Sequence, residues 1–116
     1  MNGQFSTFDE FWPFYLSQHQ NRTNRRLHFI GTTLALALIS VGFLARRPIL
    51  FLAAPVAGYG FAWVGHFFFE NNRPATFQFP LMSLRADFRM YHLIWMGELD
   101  AELLLQMKRI RRYLKV

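Results

Sequence analysis

The chain has 116 residues, enough for one domain; 53% are hydrophobic and 18% aromatic, and the formal net charge is +6. Charged residues make up only 17%, below the roughly one quarter usual in globular proteins. Cysteine is absent, which excludes a disulfide framework, a thiolate metal site, an iron–sulfur cluster and a cysteine nucleophile.

In chain order, "STFDEFWPFYLSQH" comes first. Thr7 and Glu10 stand in capping-box register, so a helix is predicted just after Thr7, with Pro13 either kinking it or delaying its start. Phe11, Trp12, Phe14 and Tyr15 suit a headgroup-level aromatic belt. Asp9 and Glu10 stand where a secretory leader would be positive, so no cleaved signal is expected. The polar, turn-prone "QNRTNR" follows His19 and leads to His28. Residues 29–45 then carry no charge, and 49–69 carry none unless His66 is protonated. Crossing ~30 Å of hydrocarbon takes about 20 apolar residues, with a floor near 17. Only "RRP" separates the runs, with Pro48 suited to a helix's first turn. A membrane-embedded helical hairpin is therefore predicted; a hairpin buried in a soluble bundle is the alternative. Gly58 and Gly60 imply a packing seam between the helices, a widened pocket, or both.

Residues 81–107 mix apolar groups with Arg85, Asp87, Arg89, Glu98, Asp100 and Glu102, too much charge for a lipid-exposed span. Amphipathic helices at the surface or packed on the hairpin are predicted there, with His92 as an interfacial or packing residue. The run "KRIRRYLK" holds five of the thirteen basic residues; without it, eight basic and seven acidic residues remain. Such a run suits anionic headgroups, and no nucleic-acid motif accompanies it. Basic residues flank both outer ends of the spans, which predicts both termini in the cytoplasm. The expected fold is thus all-α: an integral membrane hairpin of two spans with flanking amphipathic, interfacial helices.

With Arg47 taken as the middle of the turn, His28 lies nineteen residues before it and His66 nineteen after. Equal distance from the turn means equal depth in an antiparallel pair, so the two arrive at one level. Glu70 lies one turn beyond His66 on the same face. The polar segment after His19 allows the chain to fold back towards them. His19, His28, His66 and Glu70 thus form one candidate constellation, with nitrogen and oxygen donors suited to non-haem Fe(II), zinc or manganese. The same groups also fit a metal-free reading, in which they pair with one another or with backbone carbonyls. No Walker loop, dinucleotide fingerprint or Gly-x-Ser-x-Gly elbow is present, and Ser17, Ser40 and Ser83 have no triad context.

"HQNRTNRRLH" at 19–28, "WVGHFFFE" at 63–70 and "RPA" at 73–75 resemble the Mpo-like membrane family, over most of residues 8–97. "FWPFYLSQH", "RRLHFIGT", "GYGFAWVGHFFFE" and "SLRADFRM" are similar to its short bacterial members. Arg22 and Ala62 depart from the longer branch, which has proline and glutamine there. That branch is a fungal endoplasmic-reticulum Fe(II) dioxygenase acting on 2-hydroxy fatty acids, shortening them by one carbon. The resemblance implies His19, His28 and His66 as iron ligands, with Glu70 a catalytic group, a fourth ligand or an orienting partner. Asn21 and Asn24 match the stretch between the first two histidines. Arg73 and Arg25 are the candidates for the substrate carboxylate. A single membrane domain over 1–107 with a basic tail at 108–116 is expected, in the bacterial inner membrane or, in a eukaryote, the endoplasmic reticulum. Lipids, a fatty-acid-like substrate and dioxygen are the expected partners, and a homodimer the expected assembly. The alternative function is a non-catalytic, lipid-interacting protein that keeps the scaffold.

Overall fold

The structure, a computed structural model, describes residues 5–114, and every regular element among them is helical. The chain divides into two compact units, Asn21–Pro74 and the segments on either side of it.

The first unit is the hairpin. Helix α2 (Arg22–Leu44) begins at Asn21, whose side chain accepts the Asn24 N–H at 3.1 Å, and runs for 23 residues, about 34 Å. It ends as a Schellman turn: Arg47 N–H donates to Gly42 O at 2.8 Å and Arg46 N–H to Phe43 O at 3.4 Å, with Arg46 in the left-handed region at φ 56°. A side chain at Gly42 would press within 3.2 Å of both Leu50 and the Arg47 carbonyl, so glycine lets the turn close. Helix α3 (Ile49–Val64) follows and passes without a break into a wide π-helical turn at Gly65–Glu70. The α2–α3 seam is tightest at Gly31. A Cβ there would come 2.9 Å from Phe61 Cβ and 3.0 Å from the Gly58 carbonyl. Gly58 lies on this seam against Ala35, whereas Gly60 faces open space, so only one of the two predicted glycines serves packing.

Arg22–Leu44 and Ile49–Glu70 are each long and apolar enough to cross a bilayer. Only 17% and 22% of their apolar windows are buried within the protein. A core helix of a soluble bundle would show the reverse. Phe43, Leu44, Val56 and Phe68 are 73–80% exposed, a surface suited to lipid tails. The polar groups on α2 fit the same setting: Thr33 donates to the Phe29 carbonyl and Ser40 to the Leu36 carbonyl, both at 2.9 Å.

The second unit contains α1 (Phe8–Ser17), a short 3-10 turn (Ala75–Phe77), α4 (Pro80–Trp95), α5 (Leu99–Leu105) and α6 (Met107–Arg111). The capping box forms, with Thr7 Oγ1 accepting from Glu10 N at 3.2 Å and Glu10 Oε1 accepting from Ser6 N at 2.9 Å. Pro13 sits inside α1 and does not delay its start. Its missing N–H leaves the Asp9 carbonyl without a helical partner. Arg109 of α6 fills that vacancy, Nη2 to O at 2.9 Å. Phe11, Leu16, Ala86 and Ile110 are fully buried in the core, together with Trp12, Tyr15 and Met90. Gly97, at φ 69°, ends α4 with a second Schellman turn, Glu98 N–H donating to Leu93 O at 2.8 Å. Of the basic run, Lys108, Arg109 and Arg111 ride on α6, while Lys115 lies outside the described residues.

Candidate metal centre

Two of the histidines belong to the hairpin. His28 lies two turns into α2 and His66 opens the wide turn after α3. Both are buried, and their rings meet edge to face with centroids 4.9 Å apart. Equal spacing from Arg47 supplied the depth, and the seam at Gly31 and Gly58 brings the helices close enough for the rings to touch.

Each ring has one nitrogen committed. His28 Nδ1 donates to its own helix at the Asn24 carbonyl, 3.0 Å away. His66 Nδ1 donates to Asn72 Oδ1 at 2.7 Å. An oxygen acceptor on Nδ1 fixes that nitrogen as N–H and leaves the Nε2 lone pair for a cation. The Asn72 contact depends on the local backbone. The wide turn closes at Asn71, which takes the left-handed conformation at φ 62°, and Asn72 N–H then donates to the His66 carbonyl at 3.0 Å. Asn72 thus holds His66 from both its backbone and its side chain.

Glu70 ends the same turn and faces the start of α2. Its Oε1 accepts the Asn21 N–H at 2.9 Å and Asn24 Nδ2 at 3.0 Å, and Oε2 accepts the Asn21 N–H at 3.2 Å. A carboxylate at a helix N-terminus meets unpaired N–H groups and the positive end of the dipole. Asn21 Nδ2 also donates to the Phe69 carbonyl at 3.1 Å. Asn24 Oδ1 is buried without a hydrogen-bond partner and occupies the space that a side chain at Gly65 would fill.

His19 follows the C-terminus of α1, with its N–H on the Leu16 carbonyl at 3.0 Å. It is 1% exposed; Nδ1 donates to the Tyr15 carbonyl at 2.7 Å, and the ring stacks on the Tyr15 ring at 4.0 Å. Tyr15 is fixed in turn by its hydroxyl, which donates to Asp87 Oδ1 at 2.5 Å. Burial, then the neighbouring Asp87 charge, push the Tyr15 phenol well above its ordinary value, so it stays a donor. Burial also raises the Asp87 carboxyl to about 7, against the opposing effect of the Tyr15 hydrogen bond.

All three imidazoles are buried, and one ring nitrogen from each lies within 4.8 Å of the others. That is a cluster able to bind a metal ion, and its donor set suits one: three neutral imidazoles, each with its other nitrogen engaged. Arg25 lies half-buried one turn before His28, and Arg73 is exposed just after Asn72. His92 is exposed on α4, remote in sequence from these groups. Asn72, Tyr15 and Asp87 carry no assigned role in the sequence reading. An Asn-Asn pair closing a helix is a left-handed cap signal and marks the turn that delivers Asn72; no local pattern links Tyr15 to Asp87.

Residues 5–99 match the protein family described as 2-hydroxy-palmitic acid dioxygenase Mpo1-like. No curated protein and no solved structure matches the chain. The family match spans both helices of the hairpin and all three clustered histidines, and the chain belongs to the Mpo1-like family.

Proposed function

We propose that the chain is an Fe(II)-dependent membrane dioxygenase that shortens 2-hydroxy fatty acids by one carbon. The observation that carries this is the cluster of three buried imidazoles whose Nδ1 atoms are all occupied by oxygen acceptors. Imidazole donors without a thiolate suit a non-haem iron site, and the family description names a 2-hydroxy acid as substrate. His19, His28 and His66 hold the metal through Nε2. Bound Fe(II) supplies dioxygen activation and a Lewis-acidic seat for the hydroxyl and carboxylate of the substrate.

The chain's own residues orient these partners. Glu70 ties Asn21 and Asn24 down and so fixes the first turn of α2, from which His28 takes its backbone acceptor. Glu70 therefore acts as a positioning residue rather than as a fourth ligand. Arg25 and Arg73 meet the substrate carboxylate, one from each side of the hairpin mouth. The acyl chain lies along the exposed apolar face of the spans, among lipid tails, while its polar head enters where the histidines lie. Holding the head there makes the reaction unimolecular in effect. One dioxygen is consumed, the carboxyl carbon leaves as carbon dioxide with one water, and the former Cα becomes the new carboxyl. Both termini are cytoplasmic in this reading, which places the histidine end of the hairpin at the cytoplasmic face.

The test is anaerobic Fe(II) titration of the metal-free protein in detergent, followed by oxygen uptake on 2-hydroxypalmitate. One iron per chain and a product one carbon shorter are expected, with iron binding lost in His19→Ala, His28→Ala and His66→Ala. No stoichiometric iron and no uptake would leave a non-catalytic lipid-associated protein.

A further inference from the structure

Three rings stand in a row along one side of α1. His19 and Tyr15 have centroids 4.0 Å apart at 23°, and Tyr15 and Trp12 have centroids 5.6 Å apart at 10°. Both oxidisable rings in this row hand their dissociable proton to a carboxylate. The Tyr15 hydroxyl donates to Asp87 Oδ1 at 2.5 Å, and the Trp12 indole N–H donates to Glu102 Oε2 at 2.7 Å. Packing does not require this arrangement. Phe8, Phe11, Leu16 and Met90 already form an apolar core around the row, which phenylalanine at both positions would also fill. A phenol and a carboxylate withdrawn from water cost free energy that an apolar pair would not.

We propose that Tyr15 and Trp12 carry one-electron oxidising equivalents outwards from a metal held at His19, with Asp87 and Glu102 receiving the protons. The physiological oxidant, a metal centre oxidised by dioxygen, rests on the function proposed above; the wiring itself does not. When Tyr15 gives one electron to the oxidant, its O–H bond breaks, the proton crosses to the Asp87 carboxylate, and a neutral tyrosyl radical remains. An electron from Trp12 then refills Tyr15. Asp87 returns the proton to the phenol, and the indole proton passes to Glu102. A one-electron reductant of the ascorbate or quinol class restores Trp12, which regains its proton from Glu102.

The surroundings set where the radical rests. The Arg89 guanidinium stands 4.6 Å over the Trp12 ring, and Arg89 and Glu102 approach to 3.7 Å. A cation over an aromatic face opposes positive charge on that ring. The Trp12 step is therefore uphill of Tyr15, and Tyr15 is the resting place of the radical. The order of rings on α1 follows from sequence: positions 12, 15 and 19 are spaced three and four apart and share one face.

The test uses the metal-free protein in detergent, oxidised by a flash-quenched ruthenium polypyridyl complex and frozen for electron paramagnetic resonance. A tyrosyl signal is expected in the unmodified protein and in Tyr59→Phe, Tyr91→Phe and Tyr113→Phe, but not in Tyr15→Phe. Asp87→Asn, which cannot take the proton, slows formation by about 10²-fold, the scale of a positioned proton acceptor. Trp12→Phe lengthens the life of the radical in ascorbate. Circular dichroism checks the fold of each variant. Should Tyr15→Phe fail to fold, difluorotyrosine introduced at that position keeps the hydroxyl and changes the hyperfine pattern. A wild-type signal in Tyr15→Phe, an unchanged pattern with difluorotyrosine, or a wild-type rate in Asp87→Asn overturns the proposal. Iron titration of the same samples separates the two readings: iron bound without the radical overturns the wiring alone, and the radical without iron overturns the metal reading alone.

Discussion

Replacing Gly65 by alanine tests the joint that holds the two hairpin histidines. Gly65 has helical dihedrals, φ −59° and ψ −45°, so alanine suits its backbone and any cost comes from contact. The new Cβ would overlap Asn24 Oδ1 outright, and would lie 3.0 Å from Asn24 Cγ and 3.2 Å from Asn24 Cα. The amide cannot swing aside freely, because Asn24 Nδ2 is bound to Glu70 and Asn24 O receives His28 Nδ1. Overpacking costs about 1–3 kcal/mol and loss of a hydrogen bond to a charged group about 1.5–3 kcal/mol. Better helix propensity returns about 1 kcal/mol. A net loss of about 2–5 kcal/mol follows, which lowers the melting temperature by on the order of 10 °C or more. Gly60→Ala is the control, since a Cβ there meets nothing within 4 Å; it should leave stability unchanged or slightly improved. Thermal unfolding in detergent reads both, and Asn24→Ala combined with Gly65→Ala should cost less than the sum of the single changes. If Gly65→Ala melts with Gly60→Ala, the close approach of α2 to the wide turn is wrong.

Asn72→Ala removes the acceptor that fixes the His66 tautomer and should weaken metal binding about 10–100-fold, while Asn72→Asp, which still accepts, retains it; competition titration of the metal-free protein checks this. Arg109→Ala should destabilise by about 1 kcal/mol by leaving the Asp9 carbonyl unpaired. It should cost less in a Pro13→Ala background, where residue 13 regains an N–H for that carbonyl, and a double-mutant cycle in urea measures the difference. Asp87 supplies a pH dependence of known sign. Its folded-state value, about 7, is raised from 3.8, so the folded protein binds the extra proton between these values. Its contribution is therefore fully present below about pH 4 and is lost as pH rises through 7, by up to about 4 kcal/mol. Melting curves from pH 4.5 to 8 should show this fall in the wild type and a flatter profile in Asp87→Asn.

The hairpin was legible because its signals are local and long. Two uncharged runs, a three-residue break and equal counts from Arg47 to His28 and His66 specify two antiparallel helices and a common depth. The aromatic segment after Thr7 showed its cap but not its surroundings. It was read as an interfacial belt, yet Phe11, Trp12 and Tyr15 are buried in the core of their own unit. Composition cannot distinguish an aromatic face turned to headgroups from one turned to neighbouring helices. The supports of the histidines were hidden for a different reason. The Tyr15–Asp87 and Trp12–Glu102 bonds join residues 72 and 90 positions apart, beyond any helical period. Asn72 depends on a backbone reversal at Asn71, and Gly65 on how closely α2 approaches it. Residue types proclaim donors and acceptors; only the path of the chain says which pairs meet.

The six-residue turn from Gly65 to Glu70 has an evolutionary corollary. Wide turns of this kind hold one residue more than an ordinary helix needs over the same rise. A homologue with a single gap among the three phenylalanines could still wind into a continuous helix and keep every histidine. Everything downstream would then rotate by about 100°, carrying the acidic clamp off the neighbouring helix and the amide off its imidazole. Conservation of the three ring ligands alone would misjudge such a protein; the length of this segment is the better indicator of an intact centre.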